Sequence, residues 1–363
     1  MRSIKRTGTP AVLITGGAGF IGTNVAKHLL EQGQRVRILD SYARSGSEQN
    51  ASWLREHYPR DLEIIEAGVC DRKALRAAMA DVEHVYHFAA QVAVTSSLIE
   101  PLMDFEVNAR GTINVLESAR ECAEPPSLIF SSTNKVYGIL PDVAVESEGK
   151  RYVPTDRELR ARGVNERRPL DFHSPYGCSK GCAEQYVLDY SRSYGLRTAV
   201  FRMSCIYGPH QHGNEDQGWV AHFMRRAMAG EPVTIYGDGK QVRDALFVED
   251  LVAAFETARR QIDSVKGEAF NIGGGVANTL SILELVDRLE SLLEEPVTLS
   301  FGEWRTGDQR YYVSDISKFR SATGWRPQVG VDAGLDALHR WLGSRSALNN
   351  AAARSDQRLT AGA

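Results

Sequence analysis

Several classes of protein are disfavoured by what this 363-residue sequence lacks. It has 43 lysines and arginines against 46 aspartates and glutamates, so the basic excess typical of nucleic-acid binding is missing. It has no apolar run long enough to cross a bilayer, and the apolar stretch after the basic start, MRSIKRTGTP, is too short for a signal peptide. We therefore expect a cytoplasmic protein that binds neither nucleic acid nor membrane.

Cysteine is scarce and odd in number, with five residues scattered along the chain. Cys178 and Cys182 are one helical turn apart, but no second pair completes a zinc site. His210, His212 and Asp216 are close together in HQHGNED, yet polar loops often carry such residues, and we expect no metal. A hydrophobic content of 42% suits one large α/β unit or two closely joined domains.

Short apolar runs alternate with amphipathic ones through the first half of the chain. Strands are predicted at AVLIT, RVRILD, LEIIEA, HVYHFAA, SLIFSST and RTAVFRMS, with helical stretches between them. This alternation predicts a Rossmann-type, doubly wound parallel sheet covered by helices on both faces. The less regular pattern from about Cys205 predicts a smaller C-terminal α/β substrate-binding domain.

Domain boundaries are expected to follow these patterns. We assign residues 1–204 to the NAD-binding domain and residues 205–345 to the substrate-binding domain. Residues 240–264, which include VRDALFVEDLVAAFETARR, are expected to return to the first domain. The tail, residues 346–363, has little to bury and is expected to be disordered.

A dinucleotide site is indicated by VLITGGAGFIGTNVAKHLL, where glycines stand between a strand and a helix. Gly16, Gly19 and Gly22 permit a tight turn and close approach of the backbone to a pyrophosphate at the helix N-terminus. Asp40 ends the next strand, where its carboxylate can accept both hydroxyls of the adenosine ribose. Because this carboxylate would repel a 2′-phosphate, NAD is favoured over NADP, although Arg44 is close by.

A candidate for proton transfer lies in LDFHSPYGCSKG, where Tyr176 and Lys180 are four positions apart at a predicted helix start. Residues at this spacing face the same way, and a nearby cation lowers the pKa of a phenol. A phenol so tuned can exchange a proton near neutral pH. The spacing alone also occurs on ordinary helix surfaces, so the pair needs independent support.

Together these motifs resemble the extended short-chain dehydrogenase/reductase family of NAD-dependent epimerases and dehydratases. The likeness covers about residues 11–343 and is carried by the G-x-x-G-x-x-G spacing, HFAA, NARGTINVLE, SSTNKVYG, SPYGCSK, FRMSCIYGP, YGDGKQVRDALFVEDL and FNIGGG. The resemblance implies a catalytic set of Thr133, Tyr176 and Lys180. It implies cofactor contacts from Gly16, Gly19, Phe20, Ile21, Gly22, Asp40, Ala89, Ala90, Gln91, Asn108, Tyr176 and Lys180.

A nucleotide-diphosphate sugar is the substrate class that the resemblance implies. Its expected contacts are Thr133, Asn134, Cys205, Gln217, Trp219, Arg243 and Arg310. The two arginines would hold the diphosphate through bidentate contacts, with Arg305 as a weaker third candidate. The chain departs from the family at Gly68, where an adenine-contacting Asp is frequent, and at Cys205, where an Asn is usual.

The two residues after Thr133 bear on the reaction. Related 4,6-dehydratases carry Asp and Glu there and related decarboxylases carry a Glu, whereas this chain has Asn134 and Lys135. Because neither is a carboxylic acid, inversion through a ketone is expected rather than dehydration or decarboxylation. Such a reaction regenerates its cofactor in every turnover, so tightly held NAD is expected.

Within the family, SSTNKVYG, LDFHSPYGCSKG, EDQGWVAHF and GKQVRD most strongly resemble the epimerases that invert C2 of a CDP-hexose. The implied pair is CDP-paratose and CDP-tyvelose or CDP-glucose and CDP-mannose, with a UDP-sugar 4-epimerase as the alternative. A non-catalytic nucleotide sensor is disfavoured because Tyr176 and Lys180 are both present. Segments 102–122 and 178–194 resemble helices that pair in family homodimers, so a homodimer or higher homo-oligomer is expected.

Overall fold

The computed structural model describes residues 10–305 and 307–344. Its strands are β1 (Ala11–Thr15), β2 (Arg35–Asp40), β3 (Leu62–Glu66), β4 (Val82–His87), β5 (Ser127–Thr133), β6 (Val145–Glu148), β7 (Arg151–Pro154), β8 (Thr198–Met203), β9 (Cys205–Tyr207), β10 (Val233–Tyr236), β11 (Val242–Phe247), β12 (Glu268–Ile272), β13 (Thr279–Ser281), β14 (Leu299–Gly302) and β15 (Tyr311–Tyr312).

The helices of the same residues are α1 (Phe20–Glu31), α2 (Ser47–His57), α3 (Arg72–Ala78), α4 (Val94–Ile99), α5 (Pro101–Phe105), α6 (Gly111–Arg120), α7 (Arg157–Arg162), α8 (Ser174–Tyr194), α9 (Trp219–Met228), α10 (Val248–Arg260), α11 (Ile262–Val265), α12 (Ile282–Leu293), α13 (Ser317–Thr323) and α14 (331–344). A π-helical turn, Glu106–Arg110, joins α5 to α6, and a 3-10 turn, Asn134–Tyr137, follows β5.

A parallel sheet of seven strands forms the centre of the described chain, in the order β3-β2-β1-β4-β5-β8-β12. The expected Rossmann-type fold is thereby confirmed, and all six predicted strands lie in this sheet. The edge strand β12 was not predicted, since it is short and lies between glycines far along the chain. Strand order reverses between β1 and β4, which leaves a ligand-binding crevice beyond their carboxyl ends.

Alternating side chains of β1 explain why helices cover both faces of the sheet. Val12 and Ile14 pack with buried residues of α1 and α10, while Leu13 packs with those of α6 and α8. All five residues of β1 are buried, as expected for a central parallel strand. Helix α10 packs against α1, while the assignment of residues 240–264 to the first domain stays a prediction.

A second apolar cluster supports the C-terminal part of the chain. It joins β10 and β11 to α9, α12 and α14 through residues such as Phe223, Ile235 and Leu289. Strands β9, β13 and β15 pair with β11, and β10 pairs with β14. The domain boundary at residue 205 stays a prediction, and the tail at 346–363 lies outside the described residues.

Two further features of the described residues concern membrane crossing and disulfide bonding. Among residues 10–305 and 307–344, no helix has both the length and the apolar character that crossing a bilayer requires. The cysteines at 70, 122, 178, 182 and 205 all carry free thiols.

Candidate active site

The turn after β1 is shaped for close backbone approach. Gly16 has φ +69°, and a Cβ there would lie 2.6 Å from the backbone nitrogen of Ala89. A Cβ on Gly22 would lie 2.5 Å from the Gly16 carbonyl oxygen. Gly19 precedes α1, which begins at Phe20 without a side-chain cap. The N–H groups of the first turn therefore face a concave surface suited to a pyrophosphate.

Asp40 lies at the end of β2 beside this turn. Its Oδ2 accepts a hydrogen bond from Ala18 N at 2.9 Å, and its Oδ1 accepts one from Tyr42 N at 2.9 Å. Burial raises the pKa of Asp40, and these N–H donors oppose the increase. The carboxyl group is thus fixed where an adenosine ribose would lie against the glycine turn.

Asn108 holds the segment that follows β4. Its Oδ1 accepts from Gln91 N at 2.8 Å, and its Nδ2 donates to Gln91 O at 3.0 Å and to Ser179 Oγ at 3.0 Å. Ser179 in turn donates to Asp104, so α5, the π-helical turn and α8 are tied together. Asn108 is buried, and the structure shows it positioning the backbone next to Ala90.

A buried histidine links the ends of two neighbouring strands. His87, the last residue of β4, contacts Thr15 Oγ1 at 2.7 Å through Nδ1 and Thr112 Oγ1 at 2.9 Å through Nε2. Because the Thr112 hydroxyl donates to the Asn108 carbonyl at 2.6 Å, Nε2 of His87 carries the proton. Burial and the charge of Lys180 lower the pKa of His87 to about 3, so the ring is neutral.

Thr133, Tyr176 and Lys180 come together at the carboxyl end of β5. Thr133 is the last residue of that strand, and its hydroxyl acts to lower the pKa of the Tyr176 phenol. Tyr176 and Lys180 lie on the first turns of α8, with Pro175 at its start. The Lys180 Nζ lies 4.0 Å from the ring centroid of Phe130.

Burial shifts the phenol and the ammonium in opposite directions. It raises the pKa of Tyr176 to about 12, with Thr133 and Arg44 opposing the increase. It lowers the pKa of Lys180 to about 7, with Glu184 and Asp104 opposing the decrease. Among the protein groups, Thr133 and Arg44 rather than Lys180 favour the phenolate.

A buried ion pair underlies this helix. Arg202 Nε donates to Glu184 Oε1 at 3.0 Å, and Arg202 Nη1 donates to the Tyr137 hydroxyl at 2.9 Å. Ser132 Oγ donates to Glu184 Oε2 at 2.7 Å. The network ties α8 to β5 and β8, and so holds Tyr176 at a set distance from the sheet.

The predicted substrate arginines have different surroundings. Arg243 Nη2 donates to Asp308 Oδ1 at 2.6 Å, and Lys135 Nζ lies 3.8 Å from the same oxygen. Arg310 is exposed, with its guanidinium carbon 5.6 Å from the ring centroid of Tyr152. The structure therefore brings Arg243 next to the turn that follows Thr133, through the contacts of Asp308 with Arg243 and Lys135.

The other predicted substrate residues lie in several segments and make different contacts. The Cys205 thiol hydrogen-bonds Trp219, and burial raises the pKa of Cys205 to about 12. Gln217 Nε2 donates to Val92 O at 2.5 Å, which joins the loop before α9 to the segment after β4. Asn134 is buried beside Thr133, whose hydroxyl lies 3.4 Å from its Oδ1. Arg305 stacks 4.0 Å from the ring centroid of Tyr236.

Gly68 stands where relatives frequently carry an adenine-contacting Asp. A Cβ on Gly68 would meet only Ser41, at 3.8 Å, so this position is open, and the nearby Asp71 caps α3 instead. Within residues 10–305 and 307–344, no group of three or more His, Cys, Asp or Glu side chains is arranged to hold a metal.

Comparison with known proteins identifies the family. Residues 12–273 match the profile of the NAD dependent epimerase/dehydratase family. The chain belongs to the NAD-dependent epimerase/dehydratase family. This epimerase-family chain is 40% identical to the CDP-paratose 2-epimerase of Salmonella typhi over 92% of its own length and 99% of that protein.

Other relatives extend the likeness over the same length. The putative UDP-glucose 4-epimerase of Methanocaldococcus jannaschii is 31% identical, with coverage of 91% of this chain and 98% of that protein. The Thermus thermophilus UDP-glucose 4-epimerase in complex with NAD superposes with a TM-score of 0.76 at 31% identity, covering 92% and 98% of the two chains.

NAD is the cofactor of this epimerase-family enzyme, and the residues present fit it. A Cβ at Gly16 or Gly22 would clash with neighbouring backbone, so both glycines are needed for the close packing of the turn that would hold the pyrophosphate. The N-terminus of α1 would hold the phosphates, and Asp40 would hold the adenosine ribose. Tyr176 and Lys180, on the first turns of α8, would hold the nicotinamide half.

Lys135 and Asp308 are site residues that the sequence analysis did not propose as ligands. Lys135 lies in the SSTNKVYG motif and Asp308 lies far along the chain in GDQR, and the sequence does not show that their side chains meet. The roles of Asp104, Ser179 and His87 were also missed, because each acts through another residue.

We predict that Gly16→Ala abolishes NAD retention while the protein still folds, because the new Cβ would lie against the Ala89 backbone. The matched control is Gly195→Ala, which has a similar φ of +72° but open space around the Cβ. The positive φ should cost each variant about 1 kcal/mol of stability, and Gly16→Ala should lose more because its Cβ also clashes with the Ala89 backbone. Denaturing purified Gly195→Ala should release as much NAD as denaturing the wild type, whereas denaturing Gly16→Ala should release none. Equal amounts of NAD from both variants would contradict the assigned role of the glycine turn.

Proposed function

We propose that this protein is an NAD-dependent nucleotide-sugar epimerase that inverts C2 of a CDP-hexose. The observation that carries the proposal is the full-length similarity to a CDP-paratose 2-epimerase. The site supports it, since Thr133, Tyr176 and Lys180 meet beside the NAD crevice while the flanking Asn134 and Lys135 provide no carboxylic acid for dehydration. The implied pair is CDP-paratose and CDP-tyvelose or CDP-glucose and CDP-mannose.

Tyr176 is the proposed proton carrier. Its phenolate takes the proton of the sugar hydroxyl as the C2 hydrogen leaves with its electron pair, and its phenol returns that proton when the hydrogen comes back to the other face. When bound, NAD supplies the hydride acceptor and donor. Thr133 hydrogen-bonds the oxygen that alternates between alcohol and ketone.

Protein charges must lower the Tyr176 pKa from about 12 before this phenol can act as a base near neutral pH. The Lys180 ammonium, held between Asp104 and Glu184, is the group proposed to do so in the loaded enzyme. Its own pKa of about 7 reflects burial without the hydroxyl groups of a bound ribose. Ribose contacts would stabilise the ammonium and keep it charged.

The planar ketone must present both faces to the same nicotinamide. We propose that the diphosphate stays anchored while the sugar turns, with Arg243 and Arg310 as its predicted ligands. Arg243 is mostly buried and near the catalytic turn, which suits an anchor. The sugar pocket is proposed to be bounded by Gln217, Trp219 and Cys205.

A homodimer is the proposed assembly. Large apolar side chains are exposed together on α4 and α5, namely Leu98, Ile99, Leu102, Met103 and Phe105. These helices pack against α8, which adds the partly exposed Tyr186. Contiguous exposed apolar surface of this kind marks association sites, and a second copy would bury it in a four-helix interface.

The cytoplasmic compartment is likewise proposed, and five free thiols are compatible with it.

The substrate assignment is tested by incubating the purified protein with CDP-, UDP-, GDP- and dTDP-hexoses and identifying products by NMR. We expect a C2 epimer from a CDP-hexose only. Substrate deuterated at C2 should yield product that keeps the label at C2, because the hydride stays on bound cofactor. A C4 epimer from a UDP-hexose would replace the proposal with its alternative, and loss of the label to solvent would contradict hydride transfer.

We predict that Tyr176→Phe retains NAD but loses at least about 10²–10⁴-fold in turnover, because the proton carrier is gone. Tyr194→Phe serves as the control, since that phenol is exposed near the end of the same helix. Its turnover should match the wild type. An active Tyr176→Phe enzyme would remove Tyr176 from the mechanism.

We predict that Leu102→Glu dissociates the dimer, because a carboxylate would be buried in the apolar interface. Light scattering after size exclusion should change from twice the 40.1 kDa chain mass to the chain mass itself. Phe301→Glu is the control, with an equally large exposed side chain on β14. A wild-type protein that is already monomeric, or a dimeric Leu102→Glu variant, would contradict this interface.

A further inference from the structure

Two cations share one carboxylate oxygen next to the catalytic turn. Asp308 Oδ1 accepts from Arg243 Nη2 at 2.6 Å, and Lys135 Nζ lies 3.8 Å away from it. Lys135 Nζ also donates to the Gly307 carbonyl at 3.3 Å. The three charged side chains are mostly buried and together carry one net positive charge.

Asp308 is ionised in this cluster. Burial alone would raise the pKa of Asp308, but the charges of Arg243 and Lys135 outweigh it and lower the pKa. Gln309 N adds a hydrogen bond to Oδ1 at 3.0 Å. Burial lowers the pKa of Lys135 to about 8, while Asp308 favours its charged form. In this cluster one carboxylate, that of Asp308, is therefore shared by two cations, Arg243 and Lys135.

Lys135 connects this cluster to the reacting centre. Its backbone N–H donates to Thr133 Oγ1 at 3.2 Å, and the same hydroxyl acts to lower the pKa of Tyr176. Its side chain extends from the 3-10 turn to Asp308 and Gly307. An anion held by Lys135 would thus lie between Tyr176 and Arg243.

The chemistry of C2 requires an anion in that position. C2 is bonded directly to the carbon that carries the diphosphate, whereas C4 lies on the opposite side of the sugar ring. An enzyme that presents C2 to Tyr176 must therefore hold the diphosphate closer to Tyr176 than one that presents C4. A phosphate so close to the catalytic turn needs a cation that reaches it from that turn.

We propose that Lys135 is a diphosphate ligand acting with Arg243, and that Asp308 is a placeholder carboxylate which the substrate diphosphate displaces from both cations. This inference rests on the proposed action at C2 of a nucleotide-diphosphate sugar. It adds Lys135 to the binding site and gives Asp308 a role opposed to binding. Once Asp308 has moved, Arg243 Nη2 can donate to a phosphate, while Nη1 donates to Val242 O at 2.7 Å.

Equilibrium binding to the NAD-loaded, full-length protein tests the proposal apart from turnover. Calorimetry with CDP, and with UDP in parallel, should show Lys135→Met weakening the affinity about 10- to 100-fold, as expected for a lost charged contact. Lys135→Arg should recover most of it. Asp308→Asn should strengthen binding several-fold, because the competing carboxylate is removed.

Cytidine and uridine lack the diphosphate and serve as internal controls. Their affinities should be the same in wild type, Lys135→Met and Asp308→Asn. Lys150→Met is the matched variant, since Lys150 is exposed and pairs with Asp287 instead. It should bind CDP as the wild type does.

Two results would overturn the inference. One is unchanged CDP and UDP affinity in Lys135→Met; the other is a loss of affinity in Asp308→Asn equal to that in Lys135→Met, which would make the ion pair a structural tie. If UDP binds more tightly than CDP, the base of the proposed substrate is uracil rather than cytosine. The role of Lys135 is then judged from the change in UDP affinity in Lys135→Met.

Discussion

The parallel alignment of β1, β4 and β5 is the constraint on which the site depends. The register pairs Thr15 with His87 and His87 with Phe130, so β1 and β4 end side by side and β5 extends three residues further, to Thr133. Each following segment then starts from the same edge. The glycine turn, the Gln91 segment and the catalytic turn therefore face one crevice, although they are far apart in sequence.

Hydrogen bonds behind the crevice preserve this arrangement. The chain from Thr15 through His87 and Thr112 reaches the backbone of Asn108, whose amide holds Gln91. Buried polar groups are tolerated only when they are satisfied, and here each donor meets an acceptor on a neighbouring element. The same bonds that stabilise the buried groups also set the distance between the cofactor crevice and α8.

Burial and charge pairing then decide the chemistry of the crevice. Desolvation raises the pKa of Tyr176 and lowers that of Lys180, so the protein alone does not produce a phenolate. The charges that determine the reactive state come from partners close by, and the family's cofactor completes the site. On the substrate side, Asp308 balances Arg243 and Lys135 in the same way.

The sequence by itself determined those features that depend on local patterns. Six strands, the glycine turn, Asp40 at a strand end and the Tyr176–Lys180 spacing follow from periodicity and short-range geometry. Only the tertiary structure decided which distant side chains meet. It placed β12 at the sheet edge, held Asn108 behind Gln91, and separated the surroundings of Arg243 from those of Arg310. The contact of Lys135 with Asp308 joins residues from the two halves of the chain. Such contacts depend on the packing of whole elements, which no local pattern encodes.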